Sequence, residues 1–349
     1  MGKKYDIKVF DNCPALDGYH CQTNSLAKIF HYHKHPLSED MLLGLGAGMG
    51  FVYWHQKGVP PFVGGRGNVK NFFQDLGSRT SVGIEVKSTA SEKKAESALL
   101  EMLKNEVPVM IYGDMGFLPW FDLPEGYHFG GHTFVVCGYD EKDTVVASDM
   151  DQKAEGMKKG FYYPVALKQL AKARSSKYKP FPPRNSWLEF DFSRYHAPGA
   201  DDIYSSLAQT IESMLHPPIS NLGIKGIKRS GEEIVRWKNF FNDRELRLNL
   251  FSVYIFIEIG GTGGGCFRYM YSRFLKEAAI IIENNELVKA SSMINESGKK
   301  FTELGLMFKD AEKVTDLEVR IGRAREIFKE IADMEEKAFV YISENIPKI

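Results

Sequence analysis

Gly130-Gly131-His132-Thr133-Phe134-Val135-Val136-Cys137-Gly138-Tyr139, then Asp140-Glu141-Lys142-Asp143, then Thr144-Val145-Val146-Ala147-Ser148-Asp149-Met150-Asp151, reads as two strands joined by a turn. Apolar, β-branched runs bounded by turn residues mark buried strands, and the four polar residues at 140–143 supply a short hairpin connection. The pattern predicts an antiparallel pair, 132–139 with 144–148. Strand side chains repeat their face every second residue. If Tyr139 faces Thr144, His132 lies opposite Asp151, and Asp149 sits one pleat further in on the same face. Either carboxylate could hold the second nitrogen of an imidazole, as the third member of a catalytic triad does. The two glycines ahead of His132 allow a substrate backbone to come close.

A histidine so placed needs a nucleophile. Gly18 to Phe30, GYHCQTNSLAKIF, puts Cys21 ahead of a helix predicted over 26–32. A thiol becomes a useful nucleophile as thiolate, and a helix N-terminus and a nearby imidazole both lower its pKa. A single cysteine before a helix is also an ordinary small buried hydrophobe. The combination says more than its parts: Cys21, His132 and Asp149 or Asp151 follow one another in the chain order of papain-like enzymes.

The rest of the first half alternates, with a helix expected at 91–105 and strands at 84–86, 107–112, 161–164 and 187–192. A glycine-rich stretch at 44–68 reads as loop with one strand. Composition changes near 178–200, where prolines cluster, and the following sequence is helical in pattern: 201–216, 231–241, 244–257, 265–284, 286–308 and 317–342. The expected class is α+β, with an N-terminal domain over 1–195 and a helical domain over 196–349.

Hydrophobic content of 43%, charged content of 26% and a formal net charge of zero describe an ordinary globular chain, with no basic tract for nucleic acid. The longest apolar run, 250–259, is too short to span a bilayer. The first residues, MGKKYDIKVFDN, have no long apolar run, so no secretory signal is expected. Cys13, Cys21, Cys137 and Cys266 match no zinc pattern, and scattered cysteines suit a reducing cytoplasm. His31-x-His33-x-His35 has a spacing that puts its rings on different helix faces, so no metal is expected there. Gly260 to Gly265 could cradle an anion ahead of a helix, with Arg268 and Arg273 adding charge. Arg66 stands between glycines in GGRG. Asn12, Gln22 and Asn24 are candidate oxyanion donors beside the Cys21 amide. Trp54, Phe62, Phe117, Trp120 and Phe129 are loop aromatics that could line a pocket or fill core.

HCQTNSLAKIFHYHKHPLSEDMLLGLGAGMGFVY, PPFVGGRG and GGHTFVVCGYD together resemble the N-terminal domain of the butirosin biosynthesis protein H family. GTGGGCFRYMYSRFLKEAA resembles the helical domain that accompanies it. The resemblance implies a papain-like fold of the bacteriocin-processing-peptidase type. It also implies transfer of an acyl or aminoacyl group from a carrier-protein thioester to a small amine. It places the nucleophile on Cys21, the histidine on His132 and the acid on Asp149, with Asp151 as the alternative. Asn24, Arg66, Arg268 and Tyr271 are the substrate-binding candidates. No resident cofactor is implied; a phosphopantetheine arm on an acyl carrier protein would be the donor. A peptidase or amidase with the same triad, or a binding protein on the same fold, are the other readings. The apolar run in the helical domain could hold a homodimer, and neither a nucleic-acid nor a membrane partner is expected.

Overall fold

The structure is a computed structural model describing residues 7–151 and 156–347; the reading of the first six residues lies outside these. In chain order its elements are α1 (Cys21–Tyr32), α2 (Glu39–Leu45), β1 (Met49–Gln56), β2 (Val59–Arg66), α3 (Phe72–Thr80), β3 (Gly83–Lys87), α4 (Glu92–Lys104), β4 (Val109–Gly113), β5 (His132–Tyr139), β6 (Thr144–Met150), β7 (Gly160–Ala166), α5 (Leu167–Ser175) and β8 (Trp187–Asp191). Six helices follow: α6 (Ala200–Leu215), α7 (Gly223–Ile234), α8 (Asp243–Tyr254), α9 (Arg268–Ile281), α10 (Glu286–Leu306) and α11 (Leu317–Glu344). The class is α+β, as expected.

The chain packs as two compact units, Met1–Leu42 with Ser81–Ala197 and Leu43–Thr80 with Pro198–Ile349. The proline-rich change in composition marks the crossing at 197/198. The crossings at 42/43 and 80/81 carry no such mark, and the sequence reading had grouped 43–80 with the N-terminal domain.

The first unit is built on an antiparallel sheet in the order β3-β8-β4-β5-β6-β7. β5 and β6 lie at its interior and are buried along almost their whole length, which is why their centres, Phe134–Cys137 and Val145–Ala147, read as apolar runs. α1 packs on β5, and its Leu26, Ile29 and Phe30 are buried. At the turn the β5–β6 ladder starts one residue away from the expected pairing, with Tyr139 opposite Val145. A bulge at Cys137 then takes up the difference, so Val136 faces Ala147 and Val135 faces Ser148. Continued, that register sets Phe134 opposite Asp149, as the expectation for the far end of the hairpin required.

The second unit is mostly helical and carries a hairpin, β1 with β2, where the sequence reading had a loop with one strand. Glycines obscured those strands: a Cβ on Gly65 would come 2.3 Å from the Cys266 carbonyl oxygen, so the strand needs glycine to pass that close. Glycines also hid α7, expected at 231–241 and found at Gly223–Ile234. It packs Gly231 against the backbone of Arg325 and buries Ile224, Ile227 and Ile234.

A wholly buried ion pair ties this unit together. Arg268 Nε and Nη2 donate to Glu335 Oε1 and Oε2 at 2.7 and 2.9 Å, and Nη1 donates to the carbonyls of Gly50 and Cys266, each at 2.8 Å. Ser297 Oγ adds a bond to Glu335. One guanidinium thus joins β1, α9 and α11, with every contact charge-assisted. Removing one partner strands the other in the core. Arg268→Met or Glu335→Met alone is expected to cost about 3–5 kcal/mol, and the double variant less than the sum of the two. Denaturant unfolding of the three variants checks this; additive losses would show that the pair is not coupled.

Candidate active site

Cys21 is the first residue of α1. The helix therefore begins five residues before its apolar periodicity does, because its first turn is made of Cys21, Gln22, Thr23 and Asn24. What fixes that turn is a carboxylate from α2. Glu39 accepts from the amides of Tyr19 and His20 at 2.9 and 3.1 Å, from Thr23 Oγ1 at 2.7 Å and from Asn24 Nδ2 at 3.3 Å. A Cβ at Gly18 would fall 1.9 Å from Glu39 Oε1, so only glycine lets the chain pass. Glu39 is the first residue of α2, and its reach back to α1 is a long-range contact with no local signature. Ser38 caps α2, its Oγ accepting from the Met41 amide at 2.9 Å.

Cys21, His132 and Asp149 come together. His132 Nε2 donates to Asp149 Oδ2 at 2.8 Å, and both residues are buried. The His132 ring lies within hydrogen-bonding reach of the half-buried Cys21 thiol. Burial works to raise the Cys21 pKa; the hydrogen bond and charge of His132, with the Thr133 amide, outweigh it, and the thiol lies below its ordinary value. For His132, burial favours the neutral ring, but the Asp149 charge and hydrogen bond prevail and push it up to about 10. Burial would raise Asp149 too; His132, Lys28 and Trp120 together hold it below the usual carboxylate range. These directions favour a thiolate–imidazolium pair anchored by a carboxylate. Of the two acids left open by the sequence, Asp149 makes the bond.

Three neighbours of this cluster were not singled out for it. Trp120 had been noted only as a loop aromatic. Its Nε1 donates to the same Asp149 Oδ2 at 2.8 Å, while its ring stacks on Tyr163 with centroids 4.9 Å apart and planes 10° from parallel. Lys28, seven residues beyond Cys21 and so on nearly the same face of α1, is fully buried, and its Nζ donates to the Ser148 carbonyl at 3.1 Å. Lys158 is also buried, with its charge close to Cys21 and Asp149. A lysine in the middle of an apolar helix was the available signal for Lys28. Lysines are almost never fully buried without a partner.

The other candidates are placed as follows. Asn24 is buried and holds the preceding loop, donating to the carbonyls of Leu16 and Asp17 at 3.3 Å as well as to Glu39. Gln22 Nε2 reaches Tyr112 Oη at 3.5 Å. The Asn12 carbonyl meets His31 Nδ1 at 3.1 Å, ten residues along α1 and about 15 Å from Cys21. Arg66, Arg268 and Tyr271 belong to the second unit. Arg268 and Tyr271 are fully buried there, and the Arg66 guanidinium lies 4.5 Å from the centroid of the Phe72 ring. Asn24 belongs to the first unit. The glycine loop at 260–265 turns its amides inward: Gly265 N donates to Glu258 Oε1 at 3.0 Å and Gly264 N to Thr262 Oγ1 at 3.2 Å. His33 and His35 stack on Phe192 and Tyr195 with centroids 4.1 and 4.0 Å apart, and among the described residues no group of His, Cys, Asp and Glu is arranged to hold a metal ion.

Residues 20–150 match the family model described as butirosin biosynthesis protein H, N-terminal, and residues 168–342 match a domain of unknown function, DUF4872. No curated protein matches the chain.

Two outcomes follow from the ionisation pattern. Iodoacetamide should alkylate Cys21 at a pH below that of a free thiol, near 8.5, and faster than Cys13, Cys137 or Cys266. With His132→Ala, the Cys21 rate at about pH 6 should fall tenfold or more; residue-resolved mass spectrometry reads both. The second concerns stability. His132 is raised when folded, so its charge stabilises the fold fully below its unfolded value near 6.5, and that contribution is lost as pH rises through about 10. The stability gap between wild type and His132→Gln, measured by urea unfolding, should therefore be widest below about pH 6.5 and shrink towards pH 10; a gap independent of pH would contradict the charged form.

Proposed function

We propose that this chain, which belongs to the butirosin biosynthesis protein H-like family, is a cysteine-dependent acyltransferase working through an acyl-enzyme on Cys21. The observation that carries the reading is the hydrogen-bonded series from Cys21 through His132 to Asp149, with the thiol depressed and the imidazole raised. A family name in a biosynthetic setting supports an enzyme, and the geometry supports this kind of enzyme.

In the proposed cycle the Cys21 thiolate attacks the carbonyl carbon of an acyl thioester. A C–S bond to the enzyme forms, the C–S bond to the donor breaks, and the departing thiolate takes the proton from His132. Asp149 holds the ring in place beside the sulfur, and stabilises the imidazolium of the resting pair. The neutral His132 then accepts the proton of an incoming amine as its nitrogen attacks the acyl-enzyme. An amide leaves, and the thiolate–imidazolium pair is restored. The first amide of α1, at Cys21, offers one hydrogen bond to the oxyanion. The proposed donor is a thioester on the phosphopantetheine arm of an acyl carrier protein, the acceptor is a small amine, and the setting is the cytoplasm; the resemblance supports donor and acceptor, and the four free thiols suit a reducing compartment. Water in place of the amine would make the same site a hydrolase, and an amide in place of the thioester, with its amine leaving protonated by His132, would make it a peptidase or amidase.

Incubation with an aminoacyl thioester of N-acetylcysteamine should give an acyl adduct on Cys21 by intact and peptide mass. Adding a primary amine should discharge it as the amide faster than water does. Cys21→Ala should form no adduct and lose about a thousandfold or more in thioester turnover. Turnover that persists in Cys21→Ala would sink the reading, and discharge by water alone would reassign it to hydrolysis.

A further inference from the structure

The loop between β4 and β5 delivers two aromatic side chains to the buried pair. Trp120 donates to Asp149, and the Phe121 ring meets His132 edge-on with centroids 5.0 Å apart. Apart from one short turn at Met115–Phe117, residues 114–131 have no regular secondary structure. Loops of this length inside a compact unit are uncommon and are usually functional, and such a loop needs something to fix it.

That fixture is a second carboxylate–imidazole pair. Asp114 is fully buried. Its Oδ1 accepts from the amides of Gly116 and Phe129, each at 3.0 Å, so one oxygen gathers both ends of the loop. Its Oδ2 accepts from His128 Nδ1 at 3.0 Å and from Ser176 Oγ at 2.5 Å. The His128 ring lies flat on Tyr178, with centroids 3.4 Å apart and planes 4° from parallel. Met115 N donates to the Phe129 carbonyl at 3.0 Å and Gln169 Nε2 to the Phe117 carbonyl at 2.5 Å. The loop is tight as well as closed: a Cβ on Gly116 would fall 2.3 Å from the Tyr127 carbonyl oxygen. Four donors on one buried carboxylate leave it little freedom, and the segment between its two amide contacts is the one that carries Trp120 and Phe121.

We propose that Asp114 and His128 are positioning residues for the candidate active site, latching the 114–131 loop so that Trp120 stays seated on Asp149 and Phe121 on His132. The proposal rests on reading Cys21, His132 and Asp149 as the catalytic groups. Trp120 shares Asp149 Oδ2 with the imidazole, so the angle at which the carboxylate meets His132 depends on where the loop holds the indole. Small displacements remote from the reacting atoms can cost large rate factors.

The test uses the full chain with ¹⁵N-labelled indoles, with Trp120→Phe to assign the Trp120 Nε1–H resonance. Asp114→Asn puts an amide NH₂ against groups that donate, and His128→Phe keeps a ring on Tyr178 but loses the bond to Asp114. The expected result in both is a shifted or broadened Trp120 indole signal and slower Cys21 alkylation at about pH 6, about tenfold for Asp114→Asn, with the far-UV spectrum unchanged. Ser176→Ala, which removes a single donor, serves where Asp114→Asn does not fold, with a smaller change in the same direction. A lower melting midpoint with the indole signal and Cys21 rate at wild-type values would show a structural role alone and overturn the latch. If Trp120→Phe slows Cys21 while the latch variants do not, only the latch fails. If wild-type Cys21 reacts as an ordinary thiol, the catalytic reading fails and the latch with it.

Discussion

The buried hydrogen bond between His132 and Asp149 is the constraint around which the first unit is arranged. A carboxylate taken out of water is tolerated only where donors and opposite charge replace its hydration. Asp149 has the imidazole and the Trp120 indole on one oxygen and the Met150 amide on the other, at 2.8 Å in each case. Lys28 lies nearby, its Nζ donating to the Ser148 carbonyl, and burial lowers its pKa against the opposing pull of the Asp149 charge. Asp149 favours the charged form of His132, and His132 favours ionisation of Cys21. Lys28, Asp149, His132 and Cys21 thus form one electrostatically coupled group. None of the four is stable in its charged state without a neighbour, so the ionisation of the thiol is a property of the group and not of Cys21 alone.

Much of this plan was legible because it is written in strand periodicity. The run from His132 to Asp151 is short, strongly β-forming and closed by a four-residue turn, so pairing geometry could carry a residue at one end to a residue at the other. The inference survived an error in its starting register only because the bulge at Cys137 compensated for it. A bulge is one extra residue in a ladder and leaves no mark in an apolar run, so that part of the agreement owes nothing to the sequence. The choice of Asp149 over Asp151 needed the structure for the same reason.

What was not legible falls into two physical kinds. Glu39 and Trp120 act on the site from a distance along the chain, and local patterning does not report long-range contacts. The start of α1 was missed because its first turn is polar and is stabilised by Glu39, outside the helix. The second kind is glycine. β1, β2 and α7 were read as loop or displaced because glycine is a turn residue in the general case. Here Gly65 and Gly231 are where one backbone passes close to another. Arg268 looked like a binding residue for a related reason: a charge beside a glycine loop suggests a ligand, yet the ligand of Arg268 is Glu335, on a helix far down the chain.

Glu39, Asp114, Glu258 and Asp149 show why polar residues mislead in sequence. Each is a carboxylate accepting from two or more donors. Glu39 fixes the turn before α1, Asp114 closes a loop, and Glu258 takes the Gly265 amide and Thr302 Oγ1, filling from within the place an external anion was expected to occupy. In three of them the hydrogen bonds serve to hold a turn or a loop. Asp114 even has an imidazole partner, as Asp149 does. The difference lies one bond further on. Beyond His128 is a stacked Tyr178 ring, whereas beyond His132 is the Cys21 thiol at the start of a helix. A carboxylate and a histidine make a structural clamp by themselves; they make a catalytic arrangement when the second nitrogen of the ring has a nucleophile to ionise.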